Sequence, residues 1–233
     1  MLSGTSRPAW ITFDCYGTLI QWDEGLRAAV AAILARKREA IDVGRLIATY
    51  DQHEHALEQT PPHRSFRAVA SEALGLALRD LGADVDEADA RTLTDAIGRM
   101  PPFPEVVGTL AALKRAGFML CIVSNTDDDI IAGNVAQLGG HIDRVVTAEQ
   151  AGAYKPSRRI FEIAHAALGI TRNEVVHVCA SPHLDLVATR ELGLRDVWIN
   201  RDTGRRPTDG YRPQAVLPSL DGLPALFHDA GWM

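Results

Sequence analysis

The sequence predicts an α/β fold, a parallel β-sheet with helices on both faces, into which a helical segment is inserted. Short apolar runs alternate with helical patterns along most of the 233 residues, which is typical of a parallel sheet. Residues 25–100 break this alternation, because they are rich in Ala, Leu, Arg and Glu and contain no convincing strand. A hydrophobic content of 46% is enough for a sizeable core.

The predicted strands are apolar runs rich in β-branched or aromatic residues and flanked by polar or glycine-containing turns. Such runs are typical of strands that are buried on both faces. Ile142–Val146 fits this description weakly. Four runs fit it well, and they are Ala9–Phe13, Phe118–Val123, Val175–Cys179 and Asp196–Ile199.

Three predicted helices lie between these strands, and each ends at a glycine, which is a natural C-terminal cap. The tail from Asn200 to Pro213 predicts a loop, and a last element is expected near Ala215–Phe227. The three helices are Glu105–Ala116 before Gly117, Arg158–Leu168 before Gly169, and His183–Leu192 before Gly193.

The inserted segment predicts four helices. Pro61-Pro62 and Pro101-Pro102 punctuate it, because a proline disfavours helical geometry in the residue before it. We therefore expect an α/β core of residues 1–21 and 103–233 and a helical cap of residues 22–102. The four helices are Leu26–Glu39, Val43–Glu58, Ser65–Leu81 and Glu87–Arg99.

The charge pattern argues against two classes of partner. Thirty acidic residues against 24 Lys and Arg give a net charge of −6, and no stretch concentrates the basic residues. A protein that binds nucleic acid or a membrane surface would need a basic face. The longest apolar run, Ala28–Ala35, is too short to cross a bilayer. We expect no nucleic-acid partner and no membrane partner.

Cysteine usage and the N-terminal residues predict a cytoplasmic protein. The three cysteines are widely spaced inside apolar runs, which is typical of reduced core residues. Residues 1–10 lack the charged-then-apolar layout of a signal peptide. The alanine-rich run Leu26–Ala35 could pack on the core or on a second subunit, so a homodimer stays open. The cysteines are Cys15, Cys121 and Cys179.

Polar side chains follow the predicted strands at the points where the strands end. In open α/β sheets, ligands bind at the carboxyl ends of the strands. Asp14 follows the first strand and Ser124-Asn125 the second, while Asp185 lies shortly after Val175–Cys179. Lys155 precedes the helix that begins at Arg158. Two carboxylates, a lysine and small polar groups therefore converge on one edge of the sheet.

Asp14 is the candidate nucleophile. It directly follows an apolar strand, where its charge is partly desolvated, and such a carboxylate can attack a substrate covalently. Gly17 permits a tight loop whose backbone N–H groups can stabilise developing negative charge. The alternative is an aspartate that caps the following turn. The polar residues at the other strand ends favour the nucleophile.

Four motifs, in this order, resemble those of the haloacid dehalogenase superfamily. They are Asp14-Cys15-Tyr16-Gly17-Thr18-Leu19, Ser124-Asn125, Lys155-Pro156 and Asp185. The resemblance extends from Trp10 to Asn200 and includes a helical cap inserted after the first motif. It implies a Rossmann-like core with the cap closing over the nucleophile.

The resemblance also implies a role for each matched residue. Asp14 would be the nucleophile, Lys155 would neutralise charge, and Asp185 would support the activation of water. The substrate would be a small anionic molecule, oriented by Thr18 and Ser124. The full set of implied substrate-binding residues in the matched motifs is Cys15, Tyr16, Thr18, Ser124 and Asn125.

Two positions favour a 2-haloacid dehalogenase over a phosphatase within this superfamily. Phosphatases carry a second aspartate where this chain has Tyr16, and it serves as the acid for the leaving alcohol. A halide leaves as a weak base and needs no proton. Phosphatases also pair two acids near the last motif to hold Mg²⁺, which prefers oxygen ligands. Here Ser181 replaces one of them, so we expect no metal or other cofactor.

The match to L-2-haloacid dehalogenases is incomplete at four places. Phe161 stands where they have Tyr, and Ala180 and Pro182 stand where they have Ser and Asn. Their cap arginine, which binds the substrate carboxylate, has Arg45 as its nearest candidate here, with Arg64 and Arg67 as others. These departures leave two alternatives open, a Mg²⁺-dependent phosphatase of small metabolites and a non-catalytic binding protein.

The remaining conspicuous residues have a structural interpretation beside a functional one. His53, His55, Glu54 and Glu58 predict a solvated face of a cap helix, with a contact to substrate as the alternative. His177, inside an apolar strand, predicts a hydrogen-bonded core histidine rather than a ligand. His183 and Trp22 fit either the site or ordinary packing. Arg205-Arg206 predicts a solvated basic pair in a loop.

Overall fold

A parallel six-stranded sheet forms the centre of the protein. The structure, a computed structural model, describes residues 2, 5–207 and 210–233. Residues 1, 3, 4, 208 and 209, which fall in the predicted core and in the predicted loop 200–213, lie outside the described residues. The strand order is β3-β2-β1-β4-β5-β6. The strands are β1 Trp10–Phe13, β2 Met119–Ser124, β3 Arg144–Thr147, β4 Val175–Cys179, β5 Arg195–Ile199 and β6 Ala215–Leu217.

The register of the three central strands brings their carboxyl ends together. Phe13, the last residue of β1, is opposite Ile122 of β2 on one side and Val178 of β4 on the other. The residues that follow these strands therefore share one edge of the sheet. This α/β arrangement with its parallel sheet confirms the predicted fold class.

Four helices follow β1 before the chain returns to the sheet. They bury an apolar stripe against one another, with Leu46 and Tyr50 fully buried between them. Ser65 caps the third helix by accepting a hydrogen bond from the backbone of Ala68. Asp86 and Asp89 form a capping box on the fourth. The helices are α1 Trp22–Lys37, α2 Val43–Glu58, α3 Phe66–Asp80 and α4 Glu87–Ile97.

We propose that residues 22–102 are the cap, and two of the contacts that join them to the rest of the chain are at α3 and α4. Asp127, which follows β2, accepts hydrogen bonds from the backbone N–H groups of Phe66 and Arg67 at 2.7 and 2.8 Å. A core carboxylate therefore caps the first turn of α3. At the end of α4, the carbonyl oxygen of Gly98 lies so near Gly133 that a Cβ there would collide with it.

Six further helices pack around the sheet. Their apolar residues, such as Leu110, Ile160 and Phe227, are fully buried. Among the described residues, every helix is too short or too polar to cross a lipid bilayer. The helices are α5 Val106–Arg115, α6 Asp128–Val135, α7 Ala148–Ala151, α8 Arg158–Leu168, α9 Val187–Leu192 and α10 Leu223–Asp229.

Several elements differ from the prediction. The predicted helix His183–Leu192 begins instead as a wide turn of π geometry over Pro182–Leu186, and α9 continues from it. The last element is two elements, the edge strand β6 and the helix α10. Helices α6 and α7 were not predicted, because the eight residues of α6 include two acids and a glycine and show little helical periodicity, and α7 has only four residues.

Candidate active site

Asp14 is held in place by a lysine on one oxygen and a threonine on the other. It follows β1 directly and is 8% exposed. Its Oδ1 lies 2.9 Å from Lys155 Nζ, and its Oδ2 accepts a hydrogen bond of 2.7 Å from the hydroxyl of Thr18. The backbone N–H of Ala180 in turn donates to Thr18 Oγ1 at 2.8 Å. The orientation of the carboxylate is therefore fixed by two different strand ends.

Lys155 joins Asp14 to the second carboxylate of the site. Its Nζ lies 2.7 Å from Asp185 Oδ1, and the side chain is 1% exposed. The backbone N–H of Lys155 donates to Asn125 Oδ1 at 2.7 Å. One ammonium group therefore lies between two acids that would otherwise repel each other.

The pKa values of these groups follow from burial and from the ammonium group. Burial raises the pKa of Asp14, and the opposing effect of Lys155 does not fully offset it. Burial also acts on Asp185, but Lys155 and His177 outweigh it and lower the pKa of that carboxyl. For Lys155, the two carboxylates outweigh burial and raise the pKa above its usual range. The lysine therefore stays charged at neutral pH.

Asp185 is fully buried and has a histidine as its second partner. His177 Nε2 lies 2.9 Å from Asp185 Oδ1, and His177 Nδ1 lies 2.9 Å from the hydroxyl of Thr12. Asp185 Oδ2 has no hydrogen-bond partner among the described residues. Both partners of this carboxylate therefore bind the same oxygen.

The loop after Asp14 turns back sharply. Gly17 has a φ of 80°, a conformation that favours glycine, and its N–H donates to the carbonyl of Ile20. Cys15 is fully buried, and burial raises the pKa of its thiol well above the usual value. The hydroxyl of Tyr16 donates to Asn134 Oδ1 at 2.9 Å. This tyrosine hydroxyl is therefore engaged with α6.

The end of β2 supplies one free hydroxyl and one linking amide. Ser124 Oγ is buried and has no hydrogen-bond partner among the described residues. Asn125 Nδ2 donates to Glu58 Oε2 of the cap at 3.2 Å, while Asn125 Oδ1 binds the backbone of Lys155. Asn125 therefore connects the cap to Lys155.

A cavity of about 300 Å³ lies between the sheet edge and the cap, with Asp14 in its wall. Its size suits a small molecule. The cap contributes an acidic wall, which consists of Asp51, Glu54 and Glu58 of α2. The remaining lining residues are Tyr16, Trp22, His55, Phe66, Ser124, Asn125, Ala180, Ser181, His183, Leu184 and Arg205.

All three carboxyls of the acidic wall have raised pKa values, and burial raises that of Asp51 to about 6. Burial raises the pKa of Glu54 to about 7, although its short hydrogen bond from the Tyr50 hydroxyl opposes the shift. Burial and the charge of Glu54 raise the pKa of Glu58 well above its usual value. The wall is therefore only partly ionised near neutral pH, and it gains negative charge as the pH rises.

Comparison with known proteins gives the family. The model of the haloacid dehalogenase-like hydrolases matches residues 9–193. The chain belongs to this family. It is 32% identical to the (S)-2-haloacid dehalogenase of Pseudomonas sp. (strain YL) over 224 residues, 94% of each chain. It is 31% identical to haloacetate dehalogenase H-2 of Moraxella sp. (strain B) over 217 residues, 91% of this chain and 95% of the relative.

A solved structure gives the same result in three dimensions. A crystal structure of a dehalogenase superposes with a TM-score of 0.82 at 26% identity, covering 94% of this chain and 96% of the other. The predicted resemblance to the haloacid dehalogenase superfamily is therefore confirmed, and the chain is a hydrolase of that family.

Within this haloacid dehalogenase-like hydrolase, the structure does not bring Arg45 to the cavity. Arg45 lies in the first turn of α2 and is exposed. The acids of the cavity wall lie further along that helix, and Arg45 is not among the lining residues, so its contact with substrate stays a prediction. Arg64 pairs with Glu72 and Arg67 with Asp129, both at 2.6 Å.

Arg205 reaches the cavity, although the sequence predicted a solvated residue. It forms a two-pronged ion pair with Asp23, with N–O distances of 2.7 and 3.1 Å. Its Nη1 lies 3.9 Å from the position that a Cβ on Gly17 would occupy. Among the described lining residues, Arg205 is the only arginine or lysine.

The cap acids correct a second prediction. Glu54, His55 and Glu58 line the cavity instead of a solvated face, whereas His53 pairs with Asp80 outside it. A signal for this was available, because Asp51, Glu54 and Glu58 are spaced three and four residues apart, on one side of a helix.

The departures from the family pattern have structural partners. Phe161 packs edge-on against His177, with ring centroids 5.2 Å apart. Ala180 contributes its backbone N–H to Thr18, which requires no side chain. Pro182 begins the wide turn that carries Asp185. The network around Asp185 is therefore built from His177 and Thr12.

The site beside Asp14 has one acid fewer than the magnesium site of the superfamily's phosphatases, because Ser181 stands in its place. Oδ1 of Asp14 and Oδ1 of Asp185 both contact the ammonium group of Lys155. His177, Cys179 and Asp185 have donor atoms within 4.8 Å of one another. Burial raises the pKa of the Cys179 thiol well above its usual value, so it stays protonated and is a poor ligand.

Proposed function

We propose that this chain is a 2-haloacid dehalogenase, which converts short 2-haloalkanoic acids to 2-hydroxy acids through an aspartyl ester. One observation carries the proposal. A buried carboxylate, Asp14, is held by Lys155 and Thr18. Tyr16 stands in the place of a leaving-group acid, and its hydroxyl donates a hydrogen bond to Asn134. This arrangement favours a leaving group that needs no proton, and halide is such a group. The relatives named above are haloacid and haloacetate dehalogenases.

The first step is a displacement at the halogen-bearing carbon. A carboxylate oxygen of Asp14 forms a bond to C2 of the substrate, and the carbon–halogen bond breaks with its electron pair going to the halide. No proton moves in this step. Asp14 must be ionised, and the charge of Lys155 supports that state in a buried site.

The second step is hydrolysis of the ester at its carbonyl. Water forms a bond to Cγ of Asp14, and the bond between Cγ and the alkyl oxygen breaks. One proton of the water goes to the departing alkoxide and the other to Asp185, from which it passes to solvent. Lys155 stabilises the negative charge on the intermediate, and Asp14 returns as a carboxylate.

The substrate carboxylate needs a positive partner in a cavity with an acidic wall. Arg205 supplies one, because its guanidinium already binds a carboxylate, that of Asp23, at the cavity rim. Glu54 and Glu58 accept the anion while they are protonated, as their raised pKa values allow. We therefore place the carboxylate toward Arg205 and C2 toward Asp14.

The proposal includes no metal ion or other cofactor, because Ser181 stands where the phosphatases of the superfamily have the second acid of their Mg²⁺ site. The predicted homodimer and the cytoplasmic location stay predictions. The apolar residues of α1, such as Ala29, Val30 and Ile33, are buried within the chain, so a dimer contact through α1 would use its exposed face.

Halide release tests the proposal. We expect wild-type protein to release chloride from 2-chloropropionate in the presence of a chelator, and Asp14→Asn to release none. Single turnover in ¹⁸O-labelled water with enzyme in excess should place label in the Asp14 peptide, which mass spectrometry detects. The proposal would be contradicted if no halide were released from a panel of short 2-haloacids while an aryl phosphate were hydrolysed in a Mg²⁺-dependent reaction. A small anion that raises the Tm without any turnover would favour a binding protein.

A further inference from the structure

His177 is a fully buried histidine with a partner on each ring nitrogen. It lies in β4, next to the strand that ends at Asp14. Its Nε2 contacts Asp185 Oδ1 and its Nδ1 contacts the hydroxyl of Thr12, each at 2.9 Å. Its ring also packs against the edge of Phe161. The ring is therefore fixed in position and in rotation.

The chemistry of its two partners defines the tautomer. Asp185 has its pKa lowered and is an ionised acceptor, so Nε2 carries a hydrogen and donates it. The hydroxyl of Thr12 can donate as well as accept, so it can donate to Nδ1 when the ring hydrogen is on Nε2. The contact with Thr12 is therefore compatible with the tautomer that donates to Asp185.

The two donors on Asp185 bind one oxygen and leave the other free. Lys155 Nζ and His177 Nε2 both contact Oδ1, at 2.7 and 2.9 Å. Oδ2 is buried and has no partner among the described residues. A buried carboxylate oxygen without a partner is costly, which indicates that it has a use.

We propose that His177 is a positioning residue for hydrolysis of the ester. It holds Asp185 so that Oδ2 is the oxygen that takes a proton from the attacking water. The inference rests on the proposed function and adds a residue whose effect is confined to the second step. During that step, water forms its bond to Cγ of Asp14, the bond from Cγ to the alkyl oxygen breaks, one water proton moves to Asp185 Oδ2 and the other moves to the departing alkoxide. His177 itself neither gains nor loses a proton in this step.

Replacing His177 tests this by separating the two steps. We expect His177→Leu to slow ester hydrolysis roughly 100-fold, the scale of a misplaced catalytic group, while ester formation keeps its rate. With 2-chloropropionate in excess, acid-quenched samples should then show the ester-bearing protein by intact mass, together with a lower kcat and a lower KM. His177→Gln, whose amide N–H can reach the same oxygen, should recover part of the rate.

A matched pair at Thr12 tests the tautomer. Thr12→Val removes the donor to Nδ1 with little change of shape, whereas Thr12→Ser keeps the hydroxyl. We expect more ester to accumulate in Thr12→Val than in Thr12→Ser. In the wild-type protein, ¹⁵N chemical shifts should show His177 protonated at Nε2 and unprotonated at Nδ1.

Several results would overturn the inference. A folded His177→Leu variant with the wild-type turnover rate would contradict it. A slow His177→Leu variant in which no ester accumulates would contradict it as well. If His177→Leu does not fold, His177→Gln and the Thr12 pair give the same comparison. The ¹⁵N measurement needs no substrate, and a hydrogen on Nδ1 would overturn the inference by itself. Failure of the proposed function is a different result, namely no halide release by the wild-type protein.

Discussion

The two sides of the cavity differ in whether their carboxyl groups contact a cation. On the sheet side, Asp14 and Asp185 are both bound to the ammonium group of Lys155, and each pair is shorter than 3 Å. On the cap side, Asp51, Glu54 and Glu58 lie together in the wall. Among the described residues, the wall has no lysine or arginine of its own, and Arg205 comes from the loop after β5.

The difference separates the chemistry from the choice of substrate. On the sheet side, each carboxylate has a cation in contact, which opposes the effect of burial on its pKa. The cap side changes charge near neutral pH, because burial raises the pKa of Glu54 to about 7. Changes on the sheet side should therefore alter rate constants, and changes on the cap side should alter affinity and its dependence on pH.

The largest effect is expected at Asp14. Asp14→Asn keeps the size of the side chain and removes the nucleophilic charge, so turnover should fall at least about 10⁴-fold, the scale of losing a covalent nucleophile. Halide release measures it. Circular dichroism should show an unchanged fold, and a folded variant with near wild-type turnover would exclude the aspartyl ester.

The next largest effect is expected at Lys155. Lys155→Met removes the charge that lies between two carboxylates, so kcat should fall at least about 100-fold, the scale of one preorganised electrostatic donor. Lys155→Arg should recover only part, because the guanidinium keeps the charge but not the shape. Stimulation of Lys155→Met by Mg²⁺ would favour a metal site instead.

A smaller effect on KM is expected at Arg205. Arg205→Met should raise KM for 2-chloropropionate about tenfold, the scale of one lost hydrogen bond between charged groups, with little change in kcat. Arg206→Met is the matched control, since Arg206 is exposed and does not line the cavity. Equal KM values for the two variants would remove Arg205 from the substrate site.

The smallest effect is expected from the cap acids, and it depends on pH. A carboxyl whose pKa is about 7 is mostly protonated at pH 6 and mostly ionised at pH 8. Ionised Glu54 repels an anionic substrate, so KM should rise severalfold between these pH values. Glu54→Gln should flatten the rise, and KM profiles of both proteins check this. A profile that keeps its slope in Glu54→Gln would assign it to another group.

The same group makes a prediction about stability. A carboxyl whose pKa is raised by folding stabilises the fold below its unfolded pKa, and this contribution is lost as pH rises through the folded pKa. Glu54→Gln should therefore raise the Tm relative to wild type at pH 8 more than at pH 5. Thermal unfolding at the two pH values measures the difference. An identical shift at both would show that Glu54 does not titrate near 7.

The residues of the sheet side were predicted well from the sequence because the patterns that place them are local. Each strand is an apolar run, and Asp14, Ser124 and Asp185 follow strand ends within a few residues, so the parallel topology alone brings them together. Lys155 was predicted from the motif that it shares with the family. The four cap helices were also close to the observed ones, because their patterns are regular.

The cap side could not be predicted in the same way. Which face of α2 meets the cavity depends on how the cap packs on the core, which no local pattern states. Arg205 comes from an irregular loop, where sequence gives no periodicity to follow. His177 was predicted as a core histidine with hydrogen bonds, but only the structure shows that one of its partners is Asp185.

The contact between Gly98 and Gly133 affects how this enzyme can evolve. At this contact, backbone atoms of the cap meet backbone atoms of the core, and no side chain lies between them. The junction therefore preserves its spacing while residues elsewhere change. Helix α2 can exchange the acids of its wall for other side chains without moving Asp14, Lys155 or Asp185. The substrate range can therefore change during evolution, while the distances between the residues that carry the chemistry stay the same.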